Sequence, residues 1–216
     1  MVRLGEGWPA DLSFDGKWAL AVVQSRPPEL VIYPTGAGET RRLERGGLGS
    51  YASAQWFRDG RSVLICGNEP GKGTRFYVQG ISGGVPRPVT PEGTRDGWLS
   101  PDARLVLARG PEGKYFLFPI AGGEPRPVPG LAEADVVAHW SVDGRSVLAY
   151  RRAEIPSRLE RVSLDTGQRS LFKELAPPDR AGLLSLRGVF VTDDLRSYAY
   201  TTYNQVSSLF VSERTE

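Results

Sequence analysis

Short apolar runs alternate with compact polar turns along the whole chain. In the representative stretch Trp56–Ile65, the polar turn Asp59-Gly60 precedes the apolar run Val63-Leu64-Ile65. Such runs do not alternate with polar residues, so we expect strands that are buried on both faces. An Asp-Gly pair supplies the backbone freedom that a two-residue hairpin turn needs, so each run is predicted to be the second strand of a β-hairpin.

This combination of a turn and an apolar run occurs five times, with turn aspartates spaced 44, 43, 41 and 51 residues apart. The turn aspartates are Asp15, Asp59, Asp102, Asp143 and Asp194. A period of roughly 40–45 residues fits four short strands with their turns, which is the blade of a β-propeller. Helical solenoids are disfavoured because glycine and proline interrupt every unit. We therefore predict an all-β propeller of about five four-stranded blades.

We label the strands of each unit a to d, with the Asp-Gly turn between a and b. Strand d carries prolines at alternate positions in Val85–Val89 and in Glu124–Val128. Proline has no N–H for a sheet ladder, so strand d is predicted to be an outer edge strand. The repeats are predicted to span residues 5–46, 47–90, 91–130, 131–175 and 176–216 of a single domain, residues 1–216.

The two ends of the chain leave two predictions open. The segment Val2-Arg3-Leu4 is similar to the strand d segment Arg41-Arg42-Leu43, and the fifth unit stops at its third strand, Leu209-Phe210-Val211. Residues 1–4 could complete the last blade and close a five-bladed ring, or the chain could be part of a larger ring. The insertion at residues 172–188 contains Pro177-Pro178 and is expected to hold a short helical turn.

Composition excludes several classes of function. The chain has 27 lysine and arginine residues against 25 aspartate and glutamate residues, so no nucleic-acid partner is expected. Cys66 is the only cysteine, so neither an intrachain disulfide nor a cysteine metal cluster is expected, and no cofactor is predicted. There is no signal peptide and no long apolar segment, so we expect no membrane insertion and, by default, a cytoplasmic location.

The repeat resembles the TolB-like, WD-repeat-like propeller repeat of bacteria, which has a Ser-Pro-Asp-Gly-(Arg/Lys) turn before an apolar strand. The segment Ser100–Arg104 keeps the serine and the proline but has alanine for glycine. The segments Ser13–Lys17 and Ser141–Arg145 keep everything except the proline. The resemblance covers nearly the whole chain and implies the propeller fold, but that repeat accompanies many activities.

Three segments are similar to the C-terminal propeller portion of bacterial eukaryotic-like serine/threonine kinases. They are Gly83–Gly93, Lys173–Asp179 and Arg196–Tyr200. This resemblance implies a sensory or protein-binding region, in an extracytoplasmic location if the chain belongs to a receptor-type kinase. The sequence contains no glycine-rich phosphate loop of a kinase, no His-Arg-Asp and no Asp-Phe-Gly, so kinase activity does not carry over.

Isolated motifs indicate little chemistry. The segment Gly67–Thr74 has the wrong spacing for a phosphate-binding loop and is predicted to be a surface loop. His139 is the only histidine and would be the base of any hydrolase or lyase at the channel mouth. No Gly-x-Ser-x-Gly nucleophile elbow accompanies it. The pair Asp193-Asp194 is predicted to serve a turn, and no metal site is expected.

The loops that join strand b to c and strand d to a should share one face of the ring, since hairpins alternate ends. Mixed charge with nearby aromatic residues suits protein or peptide recognition. The candidate binding residues are Lys72, Arg75, Trp98, Arg109, His139, Arg151, Arg152 and Tyr203. We therefore predict a non-catalytic scaffold for protein or peptide binding or sensing, derived from a larger signalling protein. The alternative is a small propeller hydrolase or lyase.

Overall fold

The structure is a computed structural model that describes residues 3–179, 181–205 and 207. The described residues form eighteen β-strands and no helix, which confirms the all-β prediction. The chain divides into two compact units, Met1–Glu133 and Ala134–Glu216.

The first unit contains three antiparallel four-stranded sheets, each with its strands in chain order. The first sheet consists of β1 (Trp8–Leu12), β2 (Trp18–Val23), β3 (Glu29–Pro34) and β4 (Arg41–Arg42). The second consists of β5 (Ser50–Trp56), β6 (Ser62–Asn68), β7 (Arg75–Gly80) and β8 (Arg87–Pro88). The third consists of β9 (Arg95–Leu99), β10 (Leu105–Arg109), β11 (Tyr115–Pro119) and β12 (Arg126–Pro127).

The second unit contains a fourth sheet of four strands and a fifth sheet of two. The fourth sheet consists of β13 (Asp135–Trp140), β14 (Ser146–Arg151), β15 (Ser157–Ser163) and β16 (Arg169–Leu175). The fifth consists of β17 (Leu183–Val191) and β18 (Tyr198–Asn204). The predicted third strand of the fifth unit lies outside the described residues. So does Val2, while Arg3 and Leu4 are not in a strand.

The expected helical turn in residues 172–188 is wrong for the described part of that segment. Strand β16 continues to Leu175, and β17 begins at Leu183. The short connection between them contains Pro177-Pro178, and neither proline can donate the N–H that a helical turn requires.

The second strand of the second sheet is buried on both faces, as predicted. Val63 and Ile65 pack into the core shared with the first sheet, whereas Leu64 and Cys66 pack into the core shared with the third. All four side chains are at most 4% exposed. Burying each large aliphatic side chain contributes about 1.5–3 kcal/mol, so stacking between sheets is the main source of stability in this unit.

The second unit uses the same principle between its two sheets. Leu148 and Tyr150 of β14 pack against Leu186 and Val189 of the fifth sheet. All four side chains are at most 4% exposed. The fourth and fifth sheets are therefore joined by an apolar core of their own.

The Asp-Gly turns are longer than the predicted two-residue turn, so that prediction is wrong. In the fourth sheet, Ser141 N–H donates to Ser146 at 2.9 Å and closes a four-residue loop, in which Gly144 N–H donates to the Ser141 carbonyl at 2.9 Å. Only Gly144, with φ of 73°, is left-handed in this loop. The geometry is a type I turn followed by a left-handed residue.

Side chains explain why the longer loop is preferred. The Asp143 carboxylate accepts the Ser141 hydroxyl at 2.6 Å and the Arg145 N–H at 3.0 Å. The Ser141 hydroxyl oxygen in turn accepts the Ser146 N–H at 2.9 Å. The same network of hydroxyl, carboxylate and N–H groups recurs around Asp15, Asp102 and Asp194. The repeated aspartates are therefore structural.

The outer edges of the second and third sheets lack backbone donors where the prolines lie. Val89 N–H donates to Phe76 at 2.8 Å, and Val128 N–H donates to Tyr115 at 2.9 Å. The preceding residues, Pro88 and Pro127, therefore turn their backbone groups away from the sheet. Because proline has no N–H, these edges offer acceptors without donors. The prediction that strand d is an edge strand is confirmed.

The left-handed position of the turn gives a stability prediction. Ala103 occupies it in the third sheet with φ of 58°. Left-handed backbone costs a non-glycine residue about 1–2 kcal/mol, and glycine loses about 0.5–1 kcal/mol more chain entropy than alanine on folding. We expect Ala103→Gly to raise the free energy of unfolding by up to about 1 kcal/mol in urea denaturation.

Gly144→Val is the opposite change and should lower the free energy of unfolding. A Cβ added at Gly144 meets nothing within 4 Å, so the cost comes from the backbone and not from a clash. A destabilised Ala103→Gly variant, or an unchanged Gly144→Val variant, would contradict this description of the turn.

Candidate functional site

Lys72 and Arg75 both contact Glu69 at the loop between β6 and β7. Lys72 Nζ lies 2.6 Å from one carboxylate oxygen of Glu69, and Arg75 donates to the other. Arg75 also donates to the Tyr77 hydroxyl at 2.9 Å, with its guanidinium over the Tyr77 ring. Hydrogen bonds from Lys72 and Arg75 lower the pKa of Glu69 to about 2. These two cations therefore hold the loop against its own strand.

Arg109 and Trp98 lie in the third sheet. Arg109 donates to the Tyr115 hydroxyl at 3.0 Å and lies 3.5 Å from the Asp96 carboxylate. Trp98 is half-buried on β9, opposite Leu107. The sequence could not show that Arg109 has an aromatic and an acidic neighbour within its own sheet.

Arg151 and Arg152 serve the fourth sheet. Arg151 Nε lies 3.3 Å from the Asp135 carboxylate, which is fully buried and also binds Arg169 through two contacts of 2.8 and 3.2 Å. The Arg152 carbonyl accepts the Leu186 N–H at 3.2 Å, which links the fourth sheet to the fifth. A buried carboxylate requires such partners, so the role seen for Arg151 is structural.

Tyr203 lies on β18 and is 46% exposed. The Arg187 guanidinium lies 4.7 Å from the centre of its ring. Arg187 is also exposed but was not among the predicted binding residues, so of this pair the sequence indicated Tyr203 alone.

His139 occupies a repeat position that joins neighbouring sheets elsewhere. Asp11, Gln55 and His139 each lie four residues before a turn aspartate, and each pairs with a leucine of strand b. Asp11 accepts the Trp56 N–H of the next sheet at 2.8 Å. Gln55 donates to Gly97 of the next sheet at 2.7 Å and accepts the Leu99 N–H at 3.2 Å.

His139 lies at the corresponding position, and its Nε2 atom is 4.0 Å from Asp193 Oδ1 of the fifth sheet, which is the distance of an ion pair rather than of a hydrogen bond. Its side chain is 10% exposed. These contacts favour a role in joining the fourth and fifth sheets over a role as a catalytic base.

The structure therefore divides the candidate residues rather than gathering them at one site. In the first unit, Lys72 and Arg75 share Glu69, while Trp98 and Arg109 lie on neighbouring strands of the third sheet.

Burial makes the Cys66 thiol a poor nucleophile, because it raises the pKa of the thiol to about 12.

A groove of about 420 Å³ lies in the first unit between the outer edge of the second sheet and the third sheet. One wall is β8 with the residues that follow it, and the other is β11 with the turn after it. Apolar side chains dominate its lining, namely Pro88, Val89, Pro91, Phe118, Ile120 and Pro125.

Two arginines, Arg75 and Arg87, also line the groove, and the lining contains no carboxylate. The Arg87 guanidinium crosses between the sheets, where it donates to the Ile120 carbonyl at 3.0 Å. Of the predicted binding residues, Arg75 contributes to this groove. The sequence did not indicate the other residues of the groove, because its two walls come from different repeats. The repeated prolines indicate only an edge strand.

The described residues hold no cluster of histidine, cysteine, aspartate or glutamate that could bind a metal ion. A helix long and apolar enough to cross a membrane is likewise not found in the described part of the chain.

Comparison with known proteins identifies the fold. No protein-family model matches the chain, and no curated protein matches it. TolB from Acinetobacter baumannii superposes with a TM-score of 0.64 at 15% identity, over 92% of this chain and 54% of TolB. Putative TolB from Agrobacterium tumefaciens superposes with a TM-score of 0.68 at 16% identity, over 92% of this chain and 70% of that one.

The β-propeller domain of Cps50 (Swd1) from Myceliophteria thermophila superposes with a TM-score of 0.60 at 15% identity, over 93% of this chain and 64% of that one. The fold is that of a β-propeller. The blades are the four-stranded sheets, with a fifth blade described by two strands, which confirms the prediction of about five blades. Identities this low show the fold alone.

The single-domain boundaries, the closure of the ring and the link to kinase-attached propellers stay predictions. The chain spans between about half and 70% of the solved propellers that it matches.

Glu69 gives a prediction about acid stability. Its pKa is lowered to about 2 in the folded chain from an ordinary value of 4.5, so its contribution is fully present above pH 4.5 and is lost as the pH falls through 2. We expect Glu69→Gln to melt below the wild type near pH 6, with the difference in Tm shrinking as the pH falls towards 2. A difference that stays constant over this range would refute the assignment.

His139 gives a prediction about the joint between the fourth and fifth sheets. Glutamine already serves this repeat position at Gln55, so His139→Gln should leave the Tm nearly unchanged. His139→Ala should lower it by about 2–4 °C, which corresponds to about 1 kcal/mol. Gln55→Ala is the matched control and should show a similar loss. An unchanged Tm in His139→Ala would argue against the structural role.

Proposed function

We propose that this chain is a non-catalytic β-propeller scaffold that binds a protein or peptide, and that the groove between the second and third sheets is the binding surface. The observation that carries the proposal is the lining of this groove. Apolar side chains form most of it, and its charged groups are two arginines. Pockets that bind ligands typically combine a mainly apolar surface with a few polar groups that fix orientation.

An extended segment suits this groove better than a compact small molecule. One wall is the exposed edge strand β8, and the other includes the exposed glycine-rich turn after β11, so both walls face solvent. The exposed proline rings of Pro88, Pro91 and Pro125 offer flat surfaces on which an aromatic or proline side chain of a partner can pack.

Several observations favour binding over catalysis. His139, the base of the alternative hydrolase or lyase, occupies a position whose counterparts join neighbouring sheets. The repeated aspartates are engaged in turns. The resemblance of three segments to kinase-attached propellers supports a scaffold derived from a larger signalling protein.

The experiment is selection from a phage-displayed library of random dodecapeptides on the immobilised chain. We expect enriched sequences whose affinity falls at least about tenfold in Pro88→Glu, since Pro88 is exposed in the groove. The matched control is Pro127→Glu, at the corresponding register of β12 and outside the groove lining. Peptides that bind equally well to Pro88→Glu, or no enrichment at all, would overturn the proposal.

A substrate test addresses the alternative function. Ester, lactone and glycoside substrates should show no turnover that differs between the wild type and His139→Ala. Turnover by the wild type that disappears in a folded His139→Ala variant would replace the binding proposal by the enzymatic one.

A further inference from the structure

We propose that the groove selects a peptide segment that carries a carboxylate, and that Arg87 is the residue that binds this carboxylate. The inference rests on the proposed peptide-binding function and names the chemistry of the partner. Three observations support it: the hydrogen-bond donors of the groove, the difference in ion pairing between its two arginines, and the absence of carboxylates from its lining.

The backbone of β8 cannot supply the donors for a bound strand. The hydrogen bond from Val89 N–H to the Phe76 carbonyl fixes the register of β8 against β7. In this register the backbone of Pro88 faces away from the sheet, and Pro88 has no N–H to donate. A ladder between β8 and an added strand would lack this donor. Acceptor groups of a bound peptide must therefore be held by side-chain donors, which in this groove come mainly from the arginines.

The two arginines of the groove differ in how far their charge is neutralised. Arg75 is bound to Glu69 and to the Tyr77 hydroxyl, and its side chain is 18% exposed. Arg87 is exposed, and within the described chain it makes one hydrogen bond, to the neutral Ile120 carbonyl, and no ion pair. A guanidinium has five N–H donors, so most of those of Arg87 remain for a ligand.

The position of Arg87 favours a role in ligand recognition, because its side chain is held in place and is not a freely moving surface charge. Its hydrogen bond to the Ile120 carbonyl holds the guanidinium across the groove, from the wall that contains Pro88 to the wall that contains Ile120. A planar guanidinium that is held in place matches a carboxylate with two parallel hydrogen bonds. Because no carboxylate lines the groove, an acidic ligand meets no like charge there.

The occupant is therefore a short extended segment of a protein, with an aromatic or proline side chain on the apolar walls and a carboxylate at Arg87. A basic segment is disfavoured, because its charge would face Arg87, which makes no ion pair within the described chain.

The test uses two pools of fluorescein-labelled, C-terminally amidated hexapeptides with tryptophan fixed at the third position and the other positions random. One pool has glutamate at the fifth position and the other has glutamine. Fluorescence anisotropy against the full chain should show the glutamate pool binding about tenfold more tightly. The advantage should be lost in Arg87→Gln and kept in Arg126→Gln, which changes the arginine at the corresponding register of β12.

The outcomes separate this inference from the proposed function. Equal binding of both pools to the wild type would overturn carboxylate selection and leave peptide binding by the groove intact. A glutamate advantage that survives in Arg87→Gln would overturn the assignment to Arg87. Absence of binding by either pool would overturn both the inference and the groove as a peptide site.

Discussion

Burial of the second strand of each four-stranded sheet on both of its faces is the constraint on which the rest of the structure depends. In β6, successive side chains enter the core shared with the first sheet and the core shared with the third. A sheet with such a strand leaves apolar surface exposed unless a neighbour covers it, so the unit of stability is the stack and not the single sheet. Contacts from Asp11 and Gln55 to the next sheet fix the alignment of the stack at the first strands.

This constraint explains why function must lie in what differs between repeats. The turn network of a hydroxyl, an aspartate and backbone N–H groups recurs in the first, third, fourth and fifth sheets, because each hairpin has to enter the second strand at the same register. The outer edge is free of that requirement. There the prolines remove N–H donors that an added strand would need, and in the groove beside them Arg87 supplies donors that the backbone does not.

The sequence predicted the all-β repeat and the edge position of the proline-rich strand, because both follow from local patterns along one segment. It did not predict the turn length, since the hydroxyl of Ser141 and the carboxylate of Asp143 stabilise a four-residue loop that an Asp-Gly pair alone does not specify. The candidate cations illustrate a second limit. Lys72 and Arg151 look available in the sequence, but Glu69 and Asp135 bind them, and such pairing across strands depends on register. The groove escaped prediction because Pro88 and Phe118 come from different repeats.

The most direct test of peptide binding in the groove is chemical-shift mapping on the ¹⁵N-labelled full chain, with the tightest-binding peptide from the display selection. If the peptide binds in the groove, the perturbed amides will cluster on both of its walls, at Arg87, Val89 and Thr90 and at Phe118, Ile120 and Gly122. Perturbations centred on the Asp-Gly turns, such as those of Gly16 and Gly60, or on the loop around Lys72, would contradict it and would place binding on the part of the molecule that we describe as structural.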